Sequence, residues 1–81
     1  MLIIPRDSTH PSEFPKGAWR AVKRDGVRAA NLSCPLCGFR AGLGHNTNHE
    51  IAADGSVSPS VVCDNEGCSF HDFIKLEGWE V

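Results

Sequence analysis

The sequence predicts a small, mainly β fold, and three observations support this. The chain has 81 residues, and a chain this short buries too little apolar surface to be stable with much margin unless a cross-link helps. Four cysteines occur as two close pairs, and two Asp-Gly steps each separate short half-apolar runs. Asp-Gly is typical of a type I′ hairpin turn, because both residues tolerate a positive φ angle. The pattern therefore indicates β-hairpins joined by a cross-link around a small core.

The cysteine pairs have the spacing of a tetrahedral metal site. Cys34 and Cys37 enclose two residues, and Cys63 and Cys68 enclose four. Zn²⁺ binds four thiolates at about 2.3 Å, and two short loops can each supply two of them. Four sulfurs leave no open position for substrate or water, so such an ion is structural. The sequence therefore predicts Zn²⁺ as the cofactor and these four cysteines as its ligands.

Two disulfides are the main alternative for four cysteines in a short chain. The apolar run of residues 1–5 is too short for a secretory signal peptide and lacks a charged leader. We therefore expect a cytoplasmic protein, because a reducing compartment keeps thiols free for metal. No run of the sequence approaches the ~20 apolar residues of a membrane span.

Histidine offers another composition for the metal shell. His71 lies three positions after Cys68, and its use in place of a cysteine would permit an open, hydrolytic site. His45 and His49 would converge only on a helix, and the glycines and asparagines around them indicate a polar loop. The sequence offers no nucleophile with a base and no carboxylate pair in an apolar run. We therefore expect no enzyme activity, and a metal-dependent hydrolase is the weakest hypothesis.

Residues 1–16 are predicted to form an extended arm, and residues 17–81 the zinc-ribbon domain. The arm holds three of the five prolines, and proline resists regular structure because it lacks a backbone N–H. The apolar residues through which the arm could lie on the domain are Leu2, Ile3, Ile4 and Phe14.

A first β-hairpin is predicted between Trp19 and Leu32, with its turn at Asp25-Gly26. It leads directly into the first cysteine pair. The alternating pattern of residues 39–43 then predicts a short strand.

A second hairpin is predicted around Asp54-Gly55, with residues 49–53 and 56–62 as its strands. Pro59 cannot donate a backbone hydrogen bond, so this second strand should lie at an edge or bend there.

The last segment, residues 69–81, fits two structures. Four of its residues have helical spacing, which would give a treble-clef finger with a short C-terminal helix: Phe70, Phe73, Ile74 and Glu77. Aromatic and β-branched content with a glycine at a tight turn instead favours a last strand, which would give a zinc ribbon. We favour the ribbon.

Charge is unevenly distributed along the chain, whose formal net charge is −2. Residues 1–45 hold seven Lys and Arg against three Asp and Glu, for +4, and residues 46–81 hold one against seven, for −6. This asymmetry suggests one basic and one acidic face, or self-association as a homodimer. If the two halves interleave in space, the fields cancel instead.

The basic half offers a candidate nucleic-acid surface at the first hairpin. Its members are Trp19, Arg20, Lys23, Arg24 and Arg28. If they share a face, they provide phosphate contacts and one ring for base stacking. The alternative is that Trp19 belongs to the core and the charges form a solvated strand face.

A protein partner is the favoured hypothesis. A net negative charge weakens attraction to a polyanion, whereas edge strands and knuckle loops on a rigid frame suit a protein. The acidic residues available to such a partner are Asp54, Asp64, Glu66, Asp72, Glu77 and Glu80.

Three short segments carry a resemblance to a known group. Residues 34–38, 58–63 and 68–74 read Cys-Pro-Leu-Cys-Gly, Ser-Pro-Ser-Val-Val-Cys and Cys-Ser-Phe-His-Asp-Phe-Ile. They resemble small zinc-ribbon proteins encoded by bacteriophages and prophages, over about residues 34–79. The resemblance implies a metal-binding accessory protein in the host cytoplasm. Phage proteins of this size often bind a host enzyme or defence complex, which makes a host protein the expected partner.

Overall fold

The computed structural model describes residues 1–7 and 14–79. Within these ranges the chain forms nine short β-strands and no helix. The strands are β1 Leu2–Ile4, β2 Trp19–Arg24, β3 Val27–Ser33, β4 Arg40–Leu43, β5 Glu50–Ile51, β6 Val57–Ser58, β7 Val61–Val62, β8 His71–Asp72 and β9 Ile74–Leu76. The predicted small, mainly β fold is therefore confirmed.

Strands β2, β3 and β4 form an antiparallel sheet in that order. The turn between β2 and β3 has φ angles of 53° at Asp25 and 77° at Gly26, as a type I′ turn requires. The first predicted hairpin and the short strand that follows it are both confirmed. Because β3 is central, it fixes the position of the cysteine at its end.

The second predicted hairpin exists, but its second strand is interrupted. β5 pairs with β6 across the Asp54-Gly55 loop, where the Asp54 carboxylate accepts the Ser56 N–H at 2.9 Å. The pairing ends before Pro59, as its missing N–H predicted. β7 then pairs with β8 instead, in an antiparallel ribbon that carries the second cysteine pair.

The last described segment forms strands and not a helix. In β9, Ile74 and Leu76 are fully buried, while Phe73, which precedes them, is exposed. This alternation is the signature of a strand with one buried face. The strand hypothesis for residues 69–79 is confirmed, and Glu80 and Val81 lie outside the described residues.

The start of the expected arm is a paired strand. β1 runs parallel to β9, with the Leu2 N–H bonded to the Phe73 carbonyl and the Glu77 N–H bonded to the Ile4 carbonyl, both at 2.9 Å. The chain then passes to β2, where the Asp7 N–H bonds to the Trp19 carbonyl. Apolar residues drive this docking, since Ile4 is only 1% exposed. Residues 8–13 of the expected arm lie outside the described residues.

One core lies between these sheets. It contains Ile4, Trp19, Ala30, Leu32, Cys34, Leu43, Val57, Val61, Phe70, Ile74, Leu76 and Trp79. The rings of Trp19 and Trp79 lie 5.8 Å apart, and the Trp19 Nε1 donates to the Glu77 carbonyl at 2.9 Å. The other three cysteines are half-buried against this core. The apolar core and the cysteine cluster are therefore continuous.

Candidate metal centre

The fold brings the four cysteine sulfurs together at one end of the core. All four Sγ atoms lie within 4.8 Å of one another. Two contacts join the pairs across the site: Cys34 to Cys68 at 3.7 Å, and Cys37 to Cys63 at 3.6 Å. Cysteines far apart in the sequence are thus neighbours in the fold.

These distances fit a metal shell and not a pair of disulfides. A disulfide holds its sulfurs about 2.05 Å apart, and all four cysteines are free. Zn–S bonds of about 2.3 Å place the sulfurs of a tetrahedron about 3.8 Å apart. The two contacts between the knuckles match that edge length closely. The described residues therefore offer a four-sulfur site that could hold a metal ion.

The first knuckle, residues 34–39, is closed by two backbone hydrogen bonds. The Cys34 N–H donates to the Phe39 carbonyl, and the Gly38 N–H donates to the Cys34 carbonyl, both at 2.9 Å. Gly38 has a φ angle of 79°, which glycine adopts without a steric penalty. β3 and β4 therefore meet in a tight turn whose two sulfurs face the second cysteine pair.

The second knuckle, residues 63–70, closes in a similar way around a longer loop. The Cys63 N–H donates to the Phe70 carbonyl, and the Cys68 N–H donates to the Asn65 carbonyl, both at 3.0 Å. Gly67 has a φ angle of 83°. Two extra residues between the cysteines are accommodated without losing the closing bond between the strands.

One thiol of each knuckle departs from the ordinary acidity of cysteine, and the two depart in opposite directions. Hydrogen bonds from the Asn65 side chain and the Phe39 backbone lower the pKa of Cys37 to about 6. Desolvation raises the pKa of Cys63 to about 12. In the metal-free site Cys37 therefore ionises far more readily than Cys63. A cation that binds all four sulfurs must displace the remaining protons.

The histidines make other contacts. The only cluster of potential ligands that the described residues form consists of the four cysteines. His71 Nε2 lies 2.7 Å from the Ser60 hydroxyl, and His49 Nε2 donates to the Ser60 carbonyl at 3.3 Å. His45 lies 3.1 Å from the Asp25 carboxylate in a polar loop. The structure thus gives His71 a partner other than the sulfur cluster.

Of the two interpretations of Trp19, base stacking and a place in the core, the structure supports the core. Its side chain is 0% exposed, because β2 directs it into the core against Trp79. Its indole N–H donates a hydrogen bond to the Glu77 carbonyl. A ring without accessible surface cannot stack on a base. The alternative that Trp19 belongs to the core is the one the structure supports.

The four basic candidates are divided between two faces of the sheet. The register pairs Lys23 with Arg28 on the face that carries Trp19, and successive side chains of β2 alternate. Arg20 and Arg24 therefore lie on the opposite face. No single surface collects all four charges.

Three of these charges also have partners within the protein. The Arg24 guanidinium donates to the carbonyls of Leu43 and Ala30 and to Asn31 Oδ1. Arg20 is paired with Asp7 at 2.6 Å, and Arg28 lies 4.0 Å from the centre of the Trp79 ring. These contacts hold the three guanidinium groups against the protein, and the Asp7 carboxylate neutralises the charge of Arg20.

Sequence reasoning missed two residues that shape the sites. The Asn65 side chain, from the second knuckle, lowers the pKa of Cys37 in the first. The sequence pattern that could have identified Asn65 is its position as an amide residue between Cys63 and Cys68. Gly42 lets Arg24 cross the sheet, because a Cβ there would lie 2.6 Å from Arg24 Nη2. No pattern in the sequence links these two positions.

Among the described residues, no helix is long and apolar enough to cross a bilayer. No protein-family model, curated protein or solved structure matches this chain.

Proposed function

We propose that the four cysteines bind one Zn²⁺ and that the protein is a non-catalytic module built on that ion. The observation that carries this proposal is the cross-knuckle spacing of 3.6 and 3.7 Å between sulfurs, in a cluster that spans no more than 4.8 Å. Four thiolates saturate a tetrahedral ion, so the metal would stabilise the fold without activating water.

The function we propose for this module is recognition of a protein partner. Three basic side chains of the first hairpin are engaged internally and its tryptophan is buried, which removes most of the support for nucleic-acid binding. The resemblance to phage-encoded zinc ribbons makes a host enzyme or defence complex the partner class we propose. A zinc-stapled frame suits this role because it holds a recognition surface rigid, which lowers the entropy cost of binding.

The metal part of the proposal is tested by native mass spectrometry and by cobalt substitution. We expect one Zn²⁺ per chain, and a Co²⁺ form whose intense thiolate charge-transfer bands indicate four sulfurs in tetrahedral geometry. Cys37→Ser and Cys68→Ser should each lose tight binding, because three sulfurs leave an open shell.

Matched histidine variants separate a four-sulfur shell from a mixed one. His71→Ala and His49→Ala should keep one Zn²⁺ per chain and an unchanged cobalt spectrum. Loss of the metal in His71→Ala, or a cobalt spectrum with an exchangeable water, would overturn the structural assignment and return the hydrolase hypothesis.

A further inference from the structure

A groove lies beside the metal centre, between β4 and β7. It encloses about 410 Å³ and is lined along one side by four consecutive residues, 39–42, and along the other by Val61, Val62 and Asp64, with the loop residues 46–49 completing the wall. Side chains of a strand alternate between its two faces, so a cavity lined by four consecutive residues lies along the edge of that strand. The groove therefore opens onto the edge of β4.

The backbone register shows which groups of β4 face this groove. The Cys34 N–H bonds to the Phe39 carbonyl, and Leu32 lies opposite Ala41. Hydrogen-bonded and non-hydrogen-bonded positions alternate in an antiparallel pair. Arg40 and Gly42 therefore point their N–H and carbonyl groups away from β3.

Ser33, the residue of β3 that lies across from Arg40, supports the conclusion that the backbone groups of Arg40 point away from β3. The Ser33 N–H donates to the Ala18 carbonyl, on the β2 side of the sheet, so it does not bond to Arg40. Among the described residues, no strand pairs with the outer edge of β4. The edge thus offers two N–H donors and two carbonyl acceptors in the spacing that another β-strand requires.

The groove walls add apolar surface and charge to these backbone groups. Phe39 is 42% exposed and Val62 is 52% exposed, and both line the groove. The Arg40 guanidinium lies over the Phe14 ring at 5.2 Å, and no carboxylate of the described residues forms an ion pair with it. An acidic side chain in an occupant would complement Arg40, and alternate apolar side chains would cover Phe39 and Val62.

We propose that an extended segment of a protein partner binds as an added β-strand along the edge of β4, with an acidic residue at Arg40 and apolar residues against Phe39 and Val62. This inference rests on the proposed function and names the surface and the chemistry of the partner. Backbone hydrogen bonds to Arg40 and Gly42 provide affinity, and the groove walls provide specificity.

The metal centre would hold this groove in shape. Phe39 lies two residues after Cys37, and Val62 and Asp64 flank Cys63. Both walls are therefore continuations of the knuckles that the ion joins. Binding of the segment should require the metal-loaded protein.

The test begins with a displayed library of random nonapeptides, selected on the full zinc-loaded chain. We expect enriched peptides with apolar residues at alternate positions and an acidic residue between them. In the free protein the amides of Arg40 and Gly42 should exchange rapidly with D₂O, and a bound peptide should slow both by roughly tenfold or more. Absence of enriched peptides, or unchanged exchange at both amides, would overturn the proposal.

Peptide backbone methylation tests the strand geometry without changing the protein. N-methylation at the residues facing β4 should weaken binding roughly tenfold per position, because each methyl removes one hydrogen bond. Methylation at the intervening residues should leave the affinity within about twofold. A loss that is independent of position would contradict strand addition.

A matched pair of variants locates the site on the protein. Val62→Glu places a charge in the groove, whereas Phe73→Glu places the same charge at a residue that is 55% exposed and outside it. Val62→Glu should lose binding and Phe73→Glu should keep it, with one Zn²⁺ retained by both. The reverse order, or protection of Arg40 and Gly42 by self-association without peptide, would overturn the assignment.

The outcomes also separate this inference from the proposed function. If the chain holds one Zn²⁺ in four-sulfur geometry but binds no peptide at the groove, only the groove assignment fails. If the chain binds no metal, the structural-zinc proposal fails, whatever the peptide result.

Discussion

The two knuckles close with the same backbone hydrogen bond, but they rest on very different supports. The first knuckle follows β3, a seven-residue strand paired on both sides, and its Cys34 is only 3% exposed. The second knuckle joins β7 and β8, which are two residues each and pair only with one another among the described strands. Each knuckle closes a pair of strands, but only the first is supported by a three-stranded sheet.

This difference indicates which half of the site depends on metal. A long central strand contributes hydrogen bonds and buried apolar surface before any ion is bound, and a pair of two-residue strands contributes little. We therefore expect the first knuckle to be held by the sheet and the second knuckle to be held mainly by the ion.

Metal removal should produce the largest effect. With a chelator at neutral pH, the amides of β7 and β8 should lose protection from hydrogen exchange by at least about tenfold, while those at the centre of β3 keep most of theirs. Exchange measured by NMR or mass spectrometry checks this. Equal loss of protection in both regions would show that the sheet also needs the metal.

Trp19→Ala should produce the next largest effect, and it acts on the sheet. The side chain is fully buried against Trp79 and bonded to the Glu77 carbonyl, so its truncation should lower the free energy of unfolding by about 3–5 kcal/mol. Urea unfolding of the zinc-loaded protein gives the value. Phe73→Ala, at an exposed site, is the control and should change it by less than about 1 kcal/mol.

The pH dependence of zinc binding tests the difference in pKa between Cys63 and Cys37. Cys63, with its pKa raised to about 12, must release a proton at neutral pH when zinc binds, so the affinity rises with pH. Cys37, with its pKa lowered to about 6, is already ionised there and contributes a proton only as the pH falls toward 6. Calorimetry in buffers of different ionisation enthalpy counts the released protons.

Asn65→Ala tests the cause of that contrast. Loss of the Asn65 hydrogen bond should move the pKa of Cys37 back toward its ordinary value. Zinc binding at pH 7 should then release more protons and become weaker, while Glu66→Ala, a neighbouring change in the same loop, should leave proton release unchanged. An identical proton count in Asn65→Ala and the unmodified chain would contradict the assignment.

The glycines of the two knuckles should give the smallest difference. Both Gly38 and Gly67 have positive φ angles, so alanine at either should cost about 1–2 kcal/mol. A Cβ at Gly38 would also meet Lys16 Cγ at 3.2 Å, whereas one at Gly67 would meet nothing within 4 Å. In thermal unfolding, Gly38→Ala should therefore lower the stability of the protein as much as Gly67→Ala or slightly more. A much larger loss of stability in Gly67→Ala would contradict this ranking.

Local chemistry predicted the turns and the cysteines that cluster. The Asp25-Gly26 turn requires positive φ angles that few other residue pairs accept, and Pro59 ends a strand because it lacks a donor. The four cysteines were identified by spacing alone. Each of these inferences depends on neighbours within a few residues, where sequence reasoning is strongest.

Long-range contacts were beyond that reasoning. The parallel pairing of β1 with β9 joins residues more than seventy positions apart, and no local pattern encodes it. The role of Trp19 depends on the same kind of contact, since its partners Glu77 and Trp79 are far away in sequence. Strand register divides Arg20 from Lys23, and only the fold shows which face of the sheet is buried.

Two close sulfur contacts run between the knuckles, and they have a consequence for oxidation. If an oxidant displaced the metal, Cys34 could bond to Cys68 and Cys37 to Cys63, because these sulfurs are already 3.7 and 3.6 Å apart. In the oxidised chain, two disulfides would then join the first knuckle to the second. Disulfides within each knuckle would instead close two separate loops and leave the knuckles unlinked. Peptide mapping after mild peroxide treatment would distinguish these two products.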